Sequence, residues 1–411
     1  MTQISSNHKD VIIIGGGLIG LTMAQSLASH GLSAHVVDRA DPHAMMVKGF
    51  DGRTTAISSS TMAMFDAIGL GEKLDGKGCP INQIWVSDGL KKGALDFIPE
   101  AKDGFLGKMF ENRILRQKLY EMVSASDLIT LHMPRNIISQ SRDDHRATLT
   151  LDNGDILTAS LLIVAEGRQS KTRDDAGLKR AHWQYNHIAM VGAICHEKPH
   201  QNIAYEIFYP AGPFAILPML DNEKGQHRSA IVWSVDEKDA PAYLKMGPRG
   251  YAAELETQMG GILGKIDLAA DFASYPLSFH NCIDITANRL ALVGDSAHGM
   301  HPIAGQGLNL GMRDVAALTE ILVEASRLGL EAGDAQNLAR YQKWRSIDTL
   351  SVSVATDILN RLFSVSGKTA SAIRRFGLSM VQRTKPLKSF FMSEARGESG
   401  ALPILLRGER I

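Results

Sequence analysis

The chain has 411 residues, more than one compact core usually supports, so two domains or one domain with a large insertion is expected. Lys plus Arg equals Asp plus Glu at 44 each, which removes any global electrostatic reason to expect nucleic acid or a strongly acidic ligand. Three widely spaced cysteines, Cys79, Cys195 and Cys282, form no C-x-x-C pair; this argues against a disulfide framework or a zinc site and fits a reducing cytosol.

The first elements read as a βαβ unit. Asp10-Val11-Ile12-Ile13-Ile14 places four β-branched residues in a row, which suits a parallel strand covered on both faces. Gly15-x-Gly17-x-x-Gly20 turns it into a helix running to about Gly31. Gly15 permits the tight turn, Gly17 admits a pyrophosphate, and Gly20 lets the helix lie close on the strand. A second strand ends at Asp38, whose carboxylate suits an adenosine ribose. Arg39 either faces the adenine side or is a solvated loop charge. The uncharged run Val11 to Ala28 has the length of a signal peptide or membrane span, but four glycines interrupt it and a strand with an acidic end follows.

Further along, Asp51-Gly52-Arg53 offers Arg53 as a phosphate or flavin partner, or as a surface arginine after a turn. A helix is predicted from about Ser59 to Ile68. Cys79 to Phe97 holds β-like pieces of a second layer. Asn112 opens a helix with Arg113 in its first turn; a cation is unfavourable there, so a partner anion such as a cofactor phosphate would rationalise it. A hairpin follows, turned at Asp152-Asn153-Gly154, and its apolar return strand ends in Ala165-Glu166-Gly167-Arg168.

From His187 to His280 the texture is one of short strands (Ala189 to Cys195, Tyr205 to Tyr209, Ala215 to Pro218, Ala230 to Val235) with a helix between Pro248 and Met259. This predicts a largely antiparallel inserted sheet. Its aromatics Tyr205, Phe208, Tyr209, Phe214 and Trp233 read as core or as the wall of an apolar ring pocket. Leu290 to Val293 then returns as a strand, delivers Gly294-Asp295, and a glycine-bracketed turn opens a helix from about Leu308 to Ala325. Free N–H groups and the helix dipole there favour negative charge, as on the pyrimidine edge of a reduced flavin. Gly305 and Gly307 let the backbone approach closely. His298 and His301 are read as holding this loop by hydrogen bonds. The tail is basic: between Arg361 and Ile411 ten Lys or Arg stand against three acids. It reads as a membrane-surface or partner-docking helix, or as a helix with one core face and a solvated basic face.

Gly15-x-Gly17-x-x-Gly20 with Asp38, Asp51-x-Arg53, Ala165-Glu166-Gly167, and Gly294-Asp295-Ser296-Ala297-His298 with His301-Pro302 and Gly305-Gln306-Gly307-Leu308-Asn309 together resemble the FAD-dependent aromatic hydroxylases. The last run most resembles their ubiquinone-biosynthesis branch. Position 166 is Glu where the family usually has Asp, and position 38 is Asp where Glu is commoner. The resemblance implies an α/β fold: a Rossmann-like FAD-binding domain (1–75, 105–185 and 285–345), an inserted, largely antiparallel substrate domain (76–104 and 186–284), and a helical C-terminal segment (346–411). It implies that Asp295 binds the ribityl or pyrophosphate region and that the turn Gly305, Gln306, Gly307, Leu308 and Asn309 contacts the flavin ring. Gly15, Gly17, Gly20, Asp38, Arg39, Arg53 and Arg113 complete the cofactor set; no catalytic acid or base and no metal ligand is assigned.

The implied chemistry is hydroxylation of an electron-rich ring through a flavin C4a-hydroperoxide, with NAD(P)H or another donor as reductant and molecular oxygen as co-substrate. The expected substrate is a polyprenylated phenol of ubiquinone biosynthesis, met at the inner face of a membrane or beside other ubiquinone-biosynthesis proteins through the basic tail. No nucleic-acid partner is expected, and a homo-oligomer is left open. Two other readings stand beside this one: a cytoplasmic hydroxylase of a small soluble aromatic compound, and a non-catalytic flavin-binding assembly subunit.

Overall fold

The computed structural model describes residues 7–46, 50–90, 95–99, 104–299, 307–346 and 381–411. The expectations placed on His301, Gly305 and Gln306, and on most of the tail, lie outside them.

One layer is built on five parallel strands in the spatial order Leu290–Leu292, Ile156–Val164, His8–Ile14, Ala34–Val37 and Ile129–His132. Val11, Ile12, Ile13 and Ile14 are all buried, as a strand covered on both faces requires. An antiparallel pair, Ile137–Arg142 and Ala147–Leu151, extends Ile156–Val164 through the expected turn, where Gly154 has φ +87°. The chain runs from the central strand to Ala34–Val37 on one side and reaches Ile156–Val164 on the other. The carboxyl ends of these strands therefore flank a topological switch point, where open α/β sheets bind ligands.

The second layer is a nine-stranded sheet in the order His298–Gly299, Ala273–Cys282, Arg180–His196, His227–Asp236, Gly212–Met219, Ile203–Tyr209, Gln83–Asp88 and Leu95–Phe97, with Ile266–Leu268 added on Arg180–His196. It is antiparallel except where Ile203–Tyr209 runs parallel to Gln83–Asp88. Two strands differ from the sequence reading. The predicted strand Ala189 to Cys195 is the end of the 17-residue Arg180–His196, which begins inside the segment assigned to the FAD domain. Ala273–Cys282 carries no predicted strand at all. The unread start of the first is mostly exposed and polar, and the second opens on four exposed residues, so its short apolar alternation, Leu277 and Phe279, is confined to the far half. A small three-stranded sheet, Thr54–Ser58, Gly107–Glu111 and Cys79–Ile81, joins pieces from both expected domains.

The two faces of the large sheet differ. One packs Ile207, Phe214, Ile216, Ile231 and Trp233 beneath Tyr251, Leu255 and Met259 of the helix Pro248–Met259. The other packs Ala193, Ala204, Phe208, Met219 and Ala230 against Cys79, Ile81, Met109 and Ala56 of the small sheet. The described end of the chain is built in rather than trailing. Phe391 and Met392 of the helix Lys385–Arg396 join that second face, and Leu405 and Leu406 are buried in the core of the parallel layer. Arg313 donates to the carbonyls of Gly397 (3.4 Å) and Ser399 (2.5 Å).

Candidate cofactor site

The crevice at the strand ends is a cavity of about 1240 Å³ lined by Gly15, Asp38, Arg39, Glu166, Arg168 and Thr172, among others. Small-ligand pockets run from about 300 to 1,000 Å³, so this one admits a group of dinucleotide size.

The three fingerprint glycines do different work. Gly15 has φ +109°, and a Cβ there would stand 2.3 Å from the Ala165 carbonyl oxygen, so the turn is pressed against the end of the neighbouring strand. A Cβ on Gly20 would lie 1.8 Å from the Gly15 oxygen, which locks the helix Leu18–Ala28 onto the turn. A Cβ on Gly17 would meet no described atom within 4 Å. Gly17 heads the helix and faces open space, as a residue approached by a pyrophosphate must. Asp38 braces the same turn: its Oδ2 accepts from Gly16 N at 2.5 Å and its Oδ1 from Ala40 N at 2.8 Å. Each carboxylate oxygen keeps a lone pair for a ribose hydroxyl. Arg39 is exposed at the cavity's edge. Glu166 accepts from Ser170 Oγ (2.6 Å) and Thr172 N (3.1 Å), ordering the opposite lip.

Asp295 lies beside Arg168 of the crevice, on the short 3-10 turn Gly294–Ser296. Its carboxylate accepts from Arg168 Nε at 3.0 Å, and Gly167 N donates to Ser296 Oγ at 3.0 Å, so the two loops that follow Val164 and Leu292 are stitched together. His280 Nε2 donates to the Asp295 carbonyl at 2.9 Å, and burial pushes that imidazole down to about 4, which keeps it neutral.

Behind this loop lies a fully buried carboxylate. Asp314 Oδ2 accepts from Gly294 N at 2.8 Å and from His298 Nε2 at 2.6 Å, while its Oδ1 accepts from Arg345 Nε at 2.7 Å. Burial acts to raise this carboxyl, but His298 and Arg345 outweigh it and hold the group below the usual carboxylate range. His298 thus holds the loop, as its position suggested. Gly311 packs in the same place, where a Cβ would stand 3.1 Å from Gly294 Cα.

At the start of the helix Gly307–Arg327, a Cβ on Gly307 would meet no described atom within 4 Å, and Leu308 is half-buried against the core. The Asn309 amide is committed to the chain: Oδ1 accepts from Ser58 N and Nδ2 donates to Ala56 O, both at 3.0 Å. It fastens the helix N-terminus to Thr54–Ser58. Arg113 finds its anion within the chain, donating from Nε to Glu111 at 2.6 Å; Glu111 also receives Arg228 at 2.9 Å. Arg53 is exposed at the end of that small sheet, with Arg116 and Asp51 beside it.

Gly15, Asp38, Arg39, Glu166 and Arg168 thus converge on one crevice, and Asp295 adjoins it through its ion pair with Arg168. A dinucleotide fits this set: an open helix N-terminus for the pyrophosphate, a carboxylate for ribose, and a second helix N-terminus fixed behind the Asp295 loop. The description of the family model that matches residues 8–347 is an FAD binding domain. The chain belongs to this family. It is 41% identical over 397 residues to ubiquinone hydroxylase UbiL of Rhodospirillum rubrum, covering 97% of this chain and 91% of that one. It is 31% identical over 401 residues to the 3-demethoxyubiquinol 3-hydroxylase of Escherichia coli, covering 96% and 100%. The fold matches p-nitrophenol 4-monooxygenase PnpA from Pseudomonas putida with a TM-score of 0.77 at 16% identity, over 95% of this chain and 98% of that one.

The chain is therefore an FAD-dependent aromatic monooxygenase, which uses a reductant and dioxygen as its class does. Its second layer supplies a wall. Val86, Glu206, Ala215, Val232 and Val191 are paired in register across five strands and share the face turned toward the small sheet. Ala215 is buried and the other four remain half-accessible, so this face is not fully covered by the elements packed on it. The aromatics Tyr205, Tyr209, Phe214 and Trp233 point the other way, into the core beneath the helices. Only Phe208 of that set faces the wall side.

Proposed function

We propose that this monooxygenase hydroxylates the ring of a polyprenylated phenol in ubiquinone biosynthesis. The carrying observation is the half-accessible, valine-rich face that the large sheet turns toward the small sheet, an apolar surface suited to an aromatic ring with an isoprenoid chain. The pathway is that named for the relatives of near-equal length. When bound, FAD supplies the reductive activation of dioxygen that places one oxygen atom on the ring. The chain's part is positional. The Asp314 network fixes the Asp295 loop, Asn309 fixes the helix N-terminus, and the wall excludes water from the space between.

A substrate of this kind resides in a bilayer, and no described helix is long and apolar enough to cross one. The helix Lys385–Arg396 supplies a contact surface: Phe391 and Met392 face the core while Phe390 is 52% exposed, and the same helix carries Lys385 and Lys388. We assign this helix to the membrane surface. Deleting the gene and identifying by mass spectrometry the prenylated intermediate that accumulates tests the pathway and the ring position together. An unchanged quinone pool would overturn the reading.

A further inference from the structure

The wall made by Val86, Glu206, Ala215, Val232 and Val191 is apolar except at its second position. Glu206 sits mid-strand in Ile203–Tyr209, opposite Ala215 on one side and Val86 on the other. It shares its face with Ala204 and Phe208, which belong to the cluster that packs toward the small sheet. The residue lies deep among protein atoms, yet it stays half-accessible, so its carboxyl is not sealed into packed core. No hydrogen bond or ion pair to Glu206 is found among the described residues.

A carboxyl placed in an apolar wall without a partner is costly, and it is well used only when a ligand donates to it. On the reading proposed above, one donor reaches this wall: the hydroxyl of the phenol. We propose that Glu206 accepts the hydrogen bond of the substrate's ring hydroxyl and so sets which ring carbon faces the cofactor. The proposal rests on the assignment of a phenol as substrate. The flanking residues cannot take this part, since Val86, Ala215, Val232 and Val191 offer no side-chain acceptor.

The charge state of the acceptor follows from its surroundings. Burial pushes the Glu206 carboxyl up to about 7. The charged groups that share this face are Arg228 (already bonded to Glu111), Asp88, Asp236 and His187, and none of them shifts Glu206. Acceptance from a phenol is strongest in the ionised form and weakens as pH falls through that value.

The test uses the FAD-loaded protein titrated with 2-geranylphenol and with its methyl ether, followed through the change in flavin absorbance. At pH 8 the phenol should bind roughly 10- to 100-fold more tightly than the ether, the range for a hydrogen bond to a charged acceptor. Glu206→Leu should bring that ratio to about one while FAD content is kept. Glu206→Gln, which still accepts but without the charge, should keep a smaller preference of roughly 2- to 10-fold and lose its decline below about pH 7. Equal binding of the two ligands by the wild-type protein, or an unchanged ratio in Glu206→Leu, would sink the proposal and leave the substrate reading standing. Failure of both ligands to bind would remove the substrate reading and the proposal together. If Glu206→Leu does not fold, the pH dependence of the ratio in wild type against Glu206→Gln decides: identical profiles reject the role.

Discussion

His298 Nε2 lies 2.6 Å from Asp314 Oδ2, and this buried contact joins the loop that carries Asp295 to the helix that begins at Gly307. The same oxygen holds Gly294 N, and the other holds Arg345. One carboxylate therefore fixes two parts of the crevice by three donors. Asp314→Asn removes the charge and turns an amide N–H toward Gly294 N–H or the Arg345 guanidinium, each of which can only donate. Breaking a buried pair in this way costs about 3–5 kcal/mol. The variant should melt well below wild type and lose FAD on gel filtration. Since this carboxyl is held below its ordinary range, its stabilising effect is present above about pH 4 and is lost only as pH falls through the lowered value. The difference between wild type and Asp314→Asn should therefore be constant from pH 5 to 8, as thermal melts would show.

The glycines separate folding from binding. Gly17→Val introduces a side chain at φ −77°, an ordinary backbone conformation, whose first atom meets nothing described within 4 Å. Its apoprotein should be within about 0.5 kcal/mol of wild type, as for other surface changes, while FAD affinity falls at least roughly tenfold through the blocked approach of the pyrophosphate. Gly307→Val should behave likewise at the other helix N-terminus. Gly20→Ala should fail differently, because its methyl would lie 1.8 Å from the Gly15 oxygen and must displace the turn. Denaturant melts of the apoproteins with FAD fluorescence titrations distinguish the classes. A Gly17→Val protein that binds FAD normally would remove the phosphate from this turn.

What could be read from the chain, and what could not, follows from the range of each interaction. The strand–glycine–helix unit is local, so Gly15, Gly17 and Gly20 announce themselves by spacing, as does the Gly294-Asp295 loop by the apolar strand before it. Asp314 and Arg345 do not, for their partners lie 16 to 31 residues away and no local rule demands a charge there. The available hint is an Arg313-Asp314 pair inside a stretch otherwise apolar enough to be buried. Arg168 stood in a readable strand-end motif, but its partner Asp295 is 127 residues distant. Arg113 illustrates the converse: the need for an anion was legible, and the chain itself provides Glu111. Glu206 interrupts a strand of aromatic and apolar residues, a break in pattern that becomes meaningful only when the register shows four valine and alanine neighbours on its face.

Acid should destabilise the fold well above the range in which carboxylates titrate. Burial drives both His35 and His280 down to about 4, whereas in the unfolded chain each titrates near 6.5. Between those values the unfolded state binds the extra proton, so stability falls as pH is lowered from about 6.5 toward 4. From pH 7.5 to 5.5 each histidine should remove roughly 1 kcal/mol. Urea melts at the two pH values would show it, and His280→Gln should lessen the pH dependence by about half of the joint effect. An equal pH dependence in the variant would mean that His280 is not held neutral in the folded protein.

The helix Lys385–Arg396 makes the last prediction. Its inward side is fixed by Phe391 and Met392, and Lys388 is tied to Gln382 at 3.2 Å, so the outward residues can be changed without opening the core. Lipid-surface cations contribute about 1 kcal/mol each on an anionic bilayer, and the effect is screened by salt. Phe390, 52% exposed, adds apolar area that salt does not screen. Wild type should thus co-sediment with vesicles containing phosphatidylglycerol more strongly than with neutral ones. Lys385→Glu should lose the anionic preference, and Phe390→Ser should weaken binding to both vesicle types. Each variant should keep its FAD and its melting temperature, because neither residue lies in the crevice or the core. Equal partitioning of wild type and Lys385→Glu at low salt would exclude this helix from the bilayer contact.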